Sequence, residues 1–467
     1  MAGLAQILKE SGHDVSGSDI QFYPPMSDYL KDIDIKTING YEVSTMPEAD
    51  LYVIGNALSR GNECVEYILD NNLSYTSGPA ILGNELRERN VFAVSGTHGK
   101  TSTAYMLTHI LNDQGRDVGY LVGGISTNFK NPARLGSDKT FVIEADEYDS
   151  AFFDKRSKFI NYHPKNLIVN NIEFDHADIF DDINDIKRQF HHLVKLIPKL
   201  GNIIYYQDDE NMSDVLSKGS YSNLIAINSD NINVNLNTKE LLLNNETYSL
   251  RDLPLIGIHN LKNYVCAILA AQIDGVKVSD SIDSLKSFLG VKRRMEKISE
   301  TNAVKIYDDF AHHPTAIRLS SNAIRNKYPD RKIIGIIELG SNTMSSGYHE
   351  ENLLDSFESI NQALILDPKG KYQGDNIFQS IEDGPNKKDL KKILTETYSK
   401  NINLSFATRS LLTFFFAKHG LVVLDSNDSI LKKHFKSIIK KDIIENIPYK
   451  FVSSQTKKIS KFYKPLV

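Results

Sequence analysis

Val91-Phe-Ala-Val-Ser-Gly-Thr-His-Gly-Lys-Thr-Ser102 decides the fold. An apolar run of strand length enters a glycine turn, and the pattern Thr103–Leu111 continues as a helix. At such a helix start the first backbone N–H groups are unpaired and the macrodipole is positive, so anionic oxygens are favoured there. Gly96, Thr97, His98, Gly99, Lys100, Thr101 and Ser102 then form a phosphate cradle, with Lys100 reaching the distal phosphates and the Thr101 hydroxyl facing a magnesium ion. The strict phosphate-loop pattern wants glycine where Val94 stands, so the match is to the shorter form Gly-Thr-x-Gly-Lys-Thr-Ser. A chance glycine turn is the alternative, and the strand and helix on either side argue against it.

Working outward, apolar strand-like runs alternate with amphipathic segments, which predicts an α/β fold. Strands are expected at Leu51–Ile54, Phe141–Ile143, Asn166–Val169, Ile333–Ile337, Ala363–Leu366 and Leu421–Leu424. A length of 467 residues implies two to three cores. Blocks are expected at 1–88, 89–290 and 291–467. Leu4–Lys9 reads as a helix and His13–Ser18 as the strand after it, so the strand and most of the glycine turn that normally open a doubly wound domain are missing.

The totals narrow the function classes. A net charge of -5 gives no footprint for nucleic acid, and 41% hydrophobic with 24% charged residues reads as soluble and globular. Cys64 and Cys266 stand far apart, which excludes a disulfide framework and fits a reducing cytoplasm. No cation precedes the first apolar residues, against a signal peptide, and Leu411–Leu424 is too short and polar to span a membrane.

Four further runs carry polar groups at the ends of strands or starts of helices. Phe141–Asp149 delivers Glu144 at a strand's carboxyl end, where open α/β sheets place ligands, and one or two acids suffice for magnesium. Leu167–His176 delivers His176 in the same way. Each alone reads better as a solvated loop or a structural histidine, whereas Lys100, Glu144 and His176 on one sheet edge read as a site. Gly257–Asn263 offers His259, Asn260 and Asn263 to a base or ribose, or serves as a helix cap. Tyr307–Pro314 pairs acids with His312 and His313, but adjacent histidines rarely share a zinc ion.

These runs, in this order, resemble the Mur ligases, a three-domain family of peptidoglycan-precursor enzymes. Tyr23–Met26, Val53–Ala57, Arg60–Asn62, Ala151–Lys158, Phe174–Phe180, Val291–Glu296 and Ser341–Met344 add to the likeness, which is dense to about Asp367. The resemblance implies three α/β domains: a Rossmann-like N-terminal domain for a UDP-sugar, a central phosphate-loop ATPase domain and a C-terminal Rossmann-like domain. It implies ATP and Mg2+ as cofactors, with Gly96–Ser102 on the phosphates, Thr101, Glu144 and His176 on the metal, and His259, Asn260 and Asn263 on the nucleotide. Arg294 and Asp309 would complete the ATP site, and Lys100, Glu144 and His176 would serve catalysis. The implied reaction makes an amide through an acyl phosphate. Its substrates are UDP-N-acetylmuramate and the murein tripeptide L-alanyl-γ-D-glutamyl-meso-diaminopimelate, with neither nucleic acid nor membrane as partner. Phe152–Lys158 favours that member over the one that adds L-alanine; a folylpolyglutamate synthase-like ligase is a further rival.

Departures from the family are visible. Leu339 and Gly340 stand where the family has Pro-Arg, and Ser345 where it has Lys, so two cations expected for the peptide's carboxylates are absent. Leu424–Ser429 replaces an expected glycine-rich segment, and the lysine-rich tail from Asp442 to Val467 is additional. Asn386-Lys-Lys-Asp389 matches a guanine-reading pattern, but without a buried strand before it. A degenerate, non-catalytic binding protein would have no need to keep Lys100, Glu144 and His176 together.

Overall fold

The computed structural model describes residues 1–23, 26–300, 305–366 and 421–424. Asn386–Asp389, Asp425–Ser429 and the tail from Asp442 therefore lie outside the described residues. By its contacts the chain divides into two units, Met1–Val291 and Lys292–Val467.

In the first unit, Asn90–Ser95 is a strand because its alternate side chains are buried on opposite faces. Phe92 and Val94 join a core with Ala104, Leu107, Tyr264 and Cys266, while Val91 and Ala93 join another with Leu4, Ile7, Phe190 and Leu193. All four strand residues are fully buried. Val91, Phe92 and Val94 each contribute about 1.5–3 kcal/mol by leaving water, so the strand is held from both sides.

This strand is the middle of a seven-stranded sheet. On one side lie Asn166–Val169, Asn202–Tyr206 and Asn223–Ile227, and on the other Thr140–Glu144, Gly119–Leu121 and Ala133–Arg134. Every pairing is parallel except the last. After Asn90–Ser95 the chain first builds one side and then crosses to the other, which makes this strand the switch point where such sheets leave a crevice. The register aligns Val94 with Glu144 and Ser95 with Val169, so three strands end together.

The first block does not stand apart from this core. Helix Ala2–Glu10 contributes Leu4, Ile7 and Leu8 to the cluster that holds Val91 and Phe141. The approach at Gly3 is so close that a Cβ there would lie 2.6 Å from Leu121 Cδ1. The strands of this block form two separate parallel pairs, Ser16–Asp19 with Lys36–Asn39 and Tyr52–Ile54 with Tyr75–Ser77. Among the described residues no strand joins the pairs. The second unit holds a five-stranded sheet in the order Glu296–Glu300, Lys305–Asp308, Leu421–Leu424, Ile333–Glu338 and Gln362–Leu366, parallel except for its first pair.

One ion-pair network ties the first unit together at the opposite end of the sheet. The Arg116 guanidinium donates to both oxygens of Asp138, at 3.0 and 2.7 Å, and to Asp274 at 2.6 Å. Those bonds, against the upward pull of burial, hold the Asp138 carboxyl down at about 2. An unfolded aspartate titrates near about 3.9. Since the folded value is the lower one, the stabilisation is complete above about pH 4 and is lost as pH falls through about 2. Asp138→Asn is expected to flatten this acid-side loss in unfolding curves between those values. Arg116→Ala, which strands two carboxylates, is expected to cost about 3 kcal/mol.

Candidate active site

The glycine turn closes because two positions admit no side chain. Gly96 has φ +123°, and a Cβ there would lie 2.8 Å from the Asn171 carbonyl oxygen. Gly99 has φ +82°, with Asn263 Oδ1 and Asn170 Nδ2 only 2.5 and 2.6 Å from where its Cβ would stand. The adjoining segment Asn170–Glu173 is the mould for the turn. Thr97 N–H donates to the Asn171 carbonyl at 3.0 Å, His98 N–H to Asn171 Oδ1 at 2.8 Å, and Glu173 N–H to Thr97 Oγ1 at 2.8 Å. Asn170 Nδ2 donates to the His98 carbonyl and to Thr103 Oγ1. Helix Lys100–Asp113 therefore starts at a fixed place, with Gly99 as its N-cap and no side chain capping it. Its first N–H groups remain available to an anion.

The sheet edge carries two side-chain groupings. In the first, Thr101 Oγ1 donates to Glu144 Oε1 at 2.8 Å, and Glu144 Oε2 accepts from Gly123 N–H at 2.7 Å. In the second, Lys100 Nζ donates to the Gly96 carbonyl at 2.7 Å and to both Glu147 oxygens at 2.9 and 3.2 Å. Asp146 stands 3.9 Å from Lys100 and 2.9 Å from Lys158. His176 Nε2 lies 3.0 Å from Glu147 Oε1, its backbone held in the left-handed region at φ +60° and its ring against Tyr148.

Charge explains the protonation states. Burial alone would pull the Lys100 ammonium down, but Glu147 and Asp146 outweigh it and hold the group above its ordinary value. His176 follows the same logic, with burial opposed by the hydrogen bond and charge of Glu147. Burial would raise Asp146, and Lys158 and Lys100 bring it below the usual carboxylate range.

The expected residues thus fall into place unevenly. Lys100, Thr101, Glu144 and His176 stand along one region, but Glu144 is engaged by Thr101 and Gly123 whereas His176 is engaged by Glu147. The ligand atoms of Asp146, Glu147 and His176 lie within 4.8 Å of one another, a grouping able to hold a cation. Ser102 is buried. Asn260 and Asn263 are buried at the start of helix Ile258–Ile273, where Asn263 backs Gly99 and Asn260 Nδ2 donates to the Ile256 carbonyl at 2.8 Å and contacts His259 Nε2. Within the second unit, Arg294 lies over the Phe310 ring at 5.1 Å. Asp309 accepts from the backbone N–H of Met295 and Phe310 and from Ser320. Leu339 and Ser345 are buried there. A cavity of about 610 Å³ between Gln6, His109, Tyr120 and Arg134 lies elsewhere. His109 is nine residues, roughly 13 Å, along the helix from Lys100.

Family profiles match most of this chain. One described as Mur ligase family, catalytic domain, matches residues 1–90, Mur ligase middle domain matches 94–271, and Mur ligase, glutamate ligase domain, matches 293–403. Curated relatives named UDP-N-acetylmuramate--L-alanyl-gamma-D-glutamyl-meso-2,6-diaminoheptandioate ligase are 45% identical in Escherichia coli and 44% in Haemophilus influenzae. Each alignment covers 79% of this chain and 82% or 83% of the relative. The chain belongs to the Mur ligase family. A solved murein peptide ligase from Psychrobacter arcticus superposes with a TM-score of 0.68 at 34% identity, over 96% of this chain and 97% of that one. A UDP-N-acetylmuramate--L-alanine ligase from Hydrogenobaculum is 31% identical over 81% of this chain and 84% of its own. A profile described as Bacillithiol biosynthesis BshC, N-terminal Rossmann-like domain, matches residues 359–467 and overlaps the last Mur ligase match.

Glu147, Asn170 and Asn171 were the residues that reading the sequence passed over. All three stand inside runs already singled out, but nothing in the spacing says which acid of Glu144–Asp149 meets the lysine. Lys100→Ala is expected to lower ATP-dependent turnover by at least about 10²–10³-fold. It is also expected to lower the melting temperature, because Glu147 keeps His176 as its hydrogen-bonded partner but loses its lysine. Unchanged phosphate release would show that this is not the phosphate site.

Proposed function

We propose that this Mur ligase joins UDP-N-acetylmuramate to the tripeptide L-alanyl-γ-D-glutamyl-meso-diaminopimelate at the expense of ATP. The observation that carries the reading is the 44–45% identity to ligases of that name over four-fifths of their length, against 31% to the L-alanine ligase. In this reading 1–88 bind the UDP-sugar, 89–290 bind ATP, and 291–467 close on them and bring the peptide. Arg294 and Asp309 serve the nucleotide from that last part.

The chemistry follows from the weakness of a carboxylate as an acyl donor. A carboxylate oxygen of the sugar's lactyl group attacks the γ-phosphorus, ADP departs, and an acyl phosphate results. The amine of the tripeptide then attacks the acyl carbon. The tetrahedral adduct loses phosphate, and the nitrogen gives up a proton as the amide forms. Gly99, Lys100 and Thr101 orient the triphosphate through backbone N–H groups, and the Lys100 ammonium balances the charge that spreads over the phosphoryl group. His259 and the buried Asn260 and Asn263 fix the floor on which the nucleotide rests. Thr101 and Glu144, with His176, would hold Mg2+, which prefers few protein ligands besides phosphate oxygens and water. When bound it supplies further charge neutralisation. Exclusion of water protects the acyl phosphate from hydrolysis.

The test is direct. Purified chain is incubated with UDP-N-acetylmuramate, ATP and Mg2+, with either the tripeptide or L-alanine as acceptor. Phosphate release and a UDP-muramyl-tripeptide product are expected with the tripeptide; coupling of L-alanine alone would overturn the assignment. GTP is expected to replace ATP poorly.

A further inference from the structure

Glu147 is the most enclosed charged side chain of the site, 2% exposed, and the reaction outlined above gives it no task. A carboxylate taken out of water costs several kcal/mol unless it is paired and hydrogen-bonded. Here the pairing is complete: one oxygen serves His176 Nε2 and Lys100 together, and the other serves Lys100. Ser157 Oγ donates to its backbone carbonyl at 2.6 Å, which fixes the main chain beneath. The adjacent acid, Asp146, is closer to Lys158 than to Lys100. Glu147 is thus the principal counter-charge of Lys100. The ammonium is folded back onto Gly96, so a triphosphate arriving at the turn competes with Glu147 for the same cation.

We propose that Glu147 is a positioning residue that acts through Lys100 and His176. It holds the ammonium and the imidazole in one fixed arrangement for phosphoryl transfer, and in doing so it weakens the resting affinity for the nucleotide. The proposal rests on the reading that Lys100 meets the phosphates of ATP. A residue serving only stability would, when replaced, lower the melting temperature and weaken nucleotide binding together. A positioning residue of this kind separates affinity from turnover.

The experiment compares the wild-type chain with Glu147→Gln, Glu147→Asp, Lys100→Met and the Lys100→Met/Glu147→Gln double variant. Binding of a non-hydrolysable ATP analogue is measured by calorimetry with and without Mg2+, and kcat is measured with the full set of substrates. Glu147→Gln is expected to bind the analogue about five- to tenfold more tightly, since the triphosphate no longer competes with a carboxylate for the Lys100 ammonium, while kcat falls at least tenfold. In the Lys100→Met background the tightening is expected to vanish, because the effect runs through the lysine. Glu147→Asp keeps the charge but is too short to span both partners, so it is expected to keep wild-type affinity and lose turnover; it supplies the test if the glutamine variant does not fold.

Weaker analogue binding in Glu147→Gln, or weaker binding only with Mg2+ present as a metal ligand would give, overturns the proposal. So does equal tightening with Lys100 absent, or wild-type kcat in Glu147→Asp. A wild-type chain that binds no analogue sinks both this proposal and the ligase reading. Tightening in Glu147→Gln alongside coupling of L-alanine alone sinks only the choice of acceptor.

Discussion

A largely buried lysine at the first position of a helix must find negative charge, and here the protein's own acids supply it. Lys100 is 12% exposed at its side chain and shares Glu147 with His176. The rest of the first unit is arranged so that this cluster exists. The sheet brings three strand ends to one edge, the glycine turn delivers the lysine, and Asn170–Glu173 hold that turn still. Were the cluster unpaired, each buried charge would cost several kcal/mol. With it paired, the site is rigid and close to neutral.

That rigidity has a consequence for how the turn is built. Gly96 and Gly99 are required both by the turn's own positive φ values and by what presses on it. The Asn171 backbone abuts one, and the side-chain amides of Asn170 and Asn263 abut the other. Those amides come from the segment just after a neighbouring strand and, at Asn263, from a helix residue more than ninety positions further on. The glycine turn is therefore a product of the packed unit, and the helix start supplies only its polarity. The same packing explains why Asn263 is buried: its side-chain amide stands directly behind Gly99.

The second unit keeps its own economy. Asp309 is occupied by two backbone N–H groups and Ser320, and Arg294 lies on Phe310. The buried Ser345 stands where relatives of this family are expected to carry a lysine, and burial suits a small residue far better than an unpaired ammonium; Gly340, at the expected arginine place, is exposed. The overlap of two family profiles across 359–403 falls in this half of the chain as well.

Much of this was legible from the residues in order. Strand periodicity around Val91–Val94, a glycine turn and a following helix dictate a parallel α/β sheet with an anion site, because hydrogen-bond geometry and burial leave that local pattern few alternatives. The order of the five motifs then fixed the family. Tertiary structure alone decided which charges meet. Glu144 and Glu147 are three residues apart in one acidic run, and both are acids of the same reach. The strand's pleat and the loop after it turn the first toward Thr101 and the second toward Lys100 and His176. Coulombic pairing depends on distances of a few ångströms between segments remote in sequence, and no linear spacing encodes those.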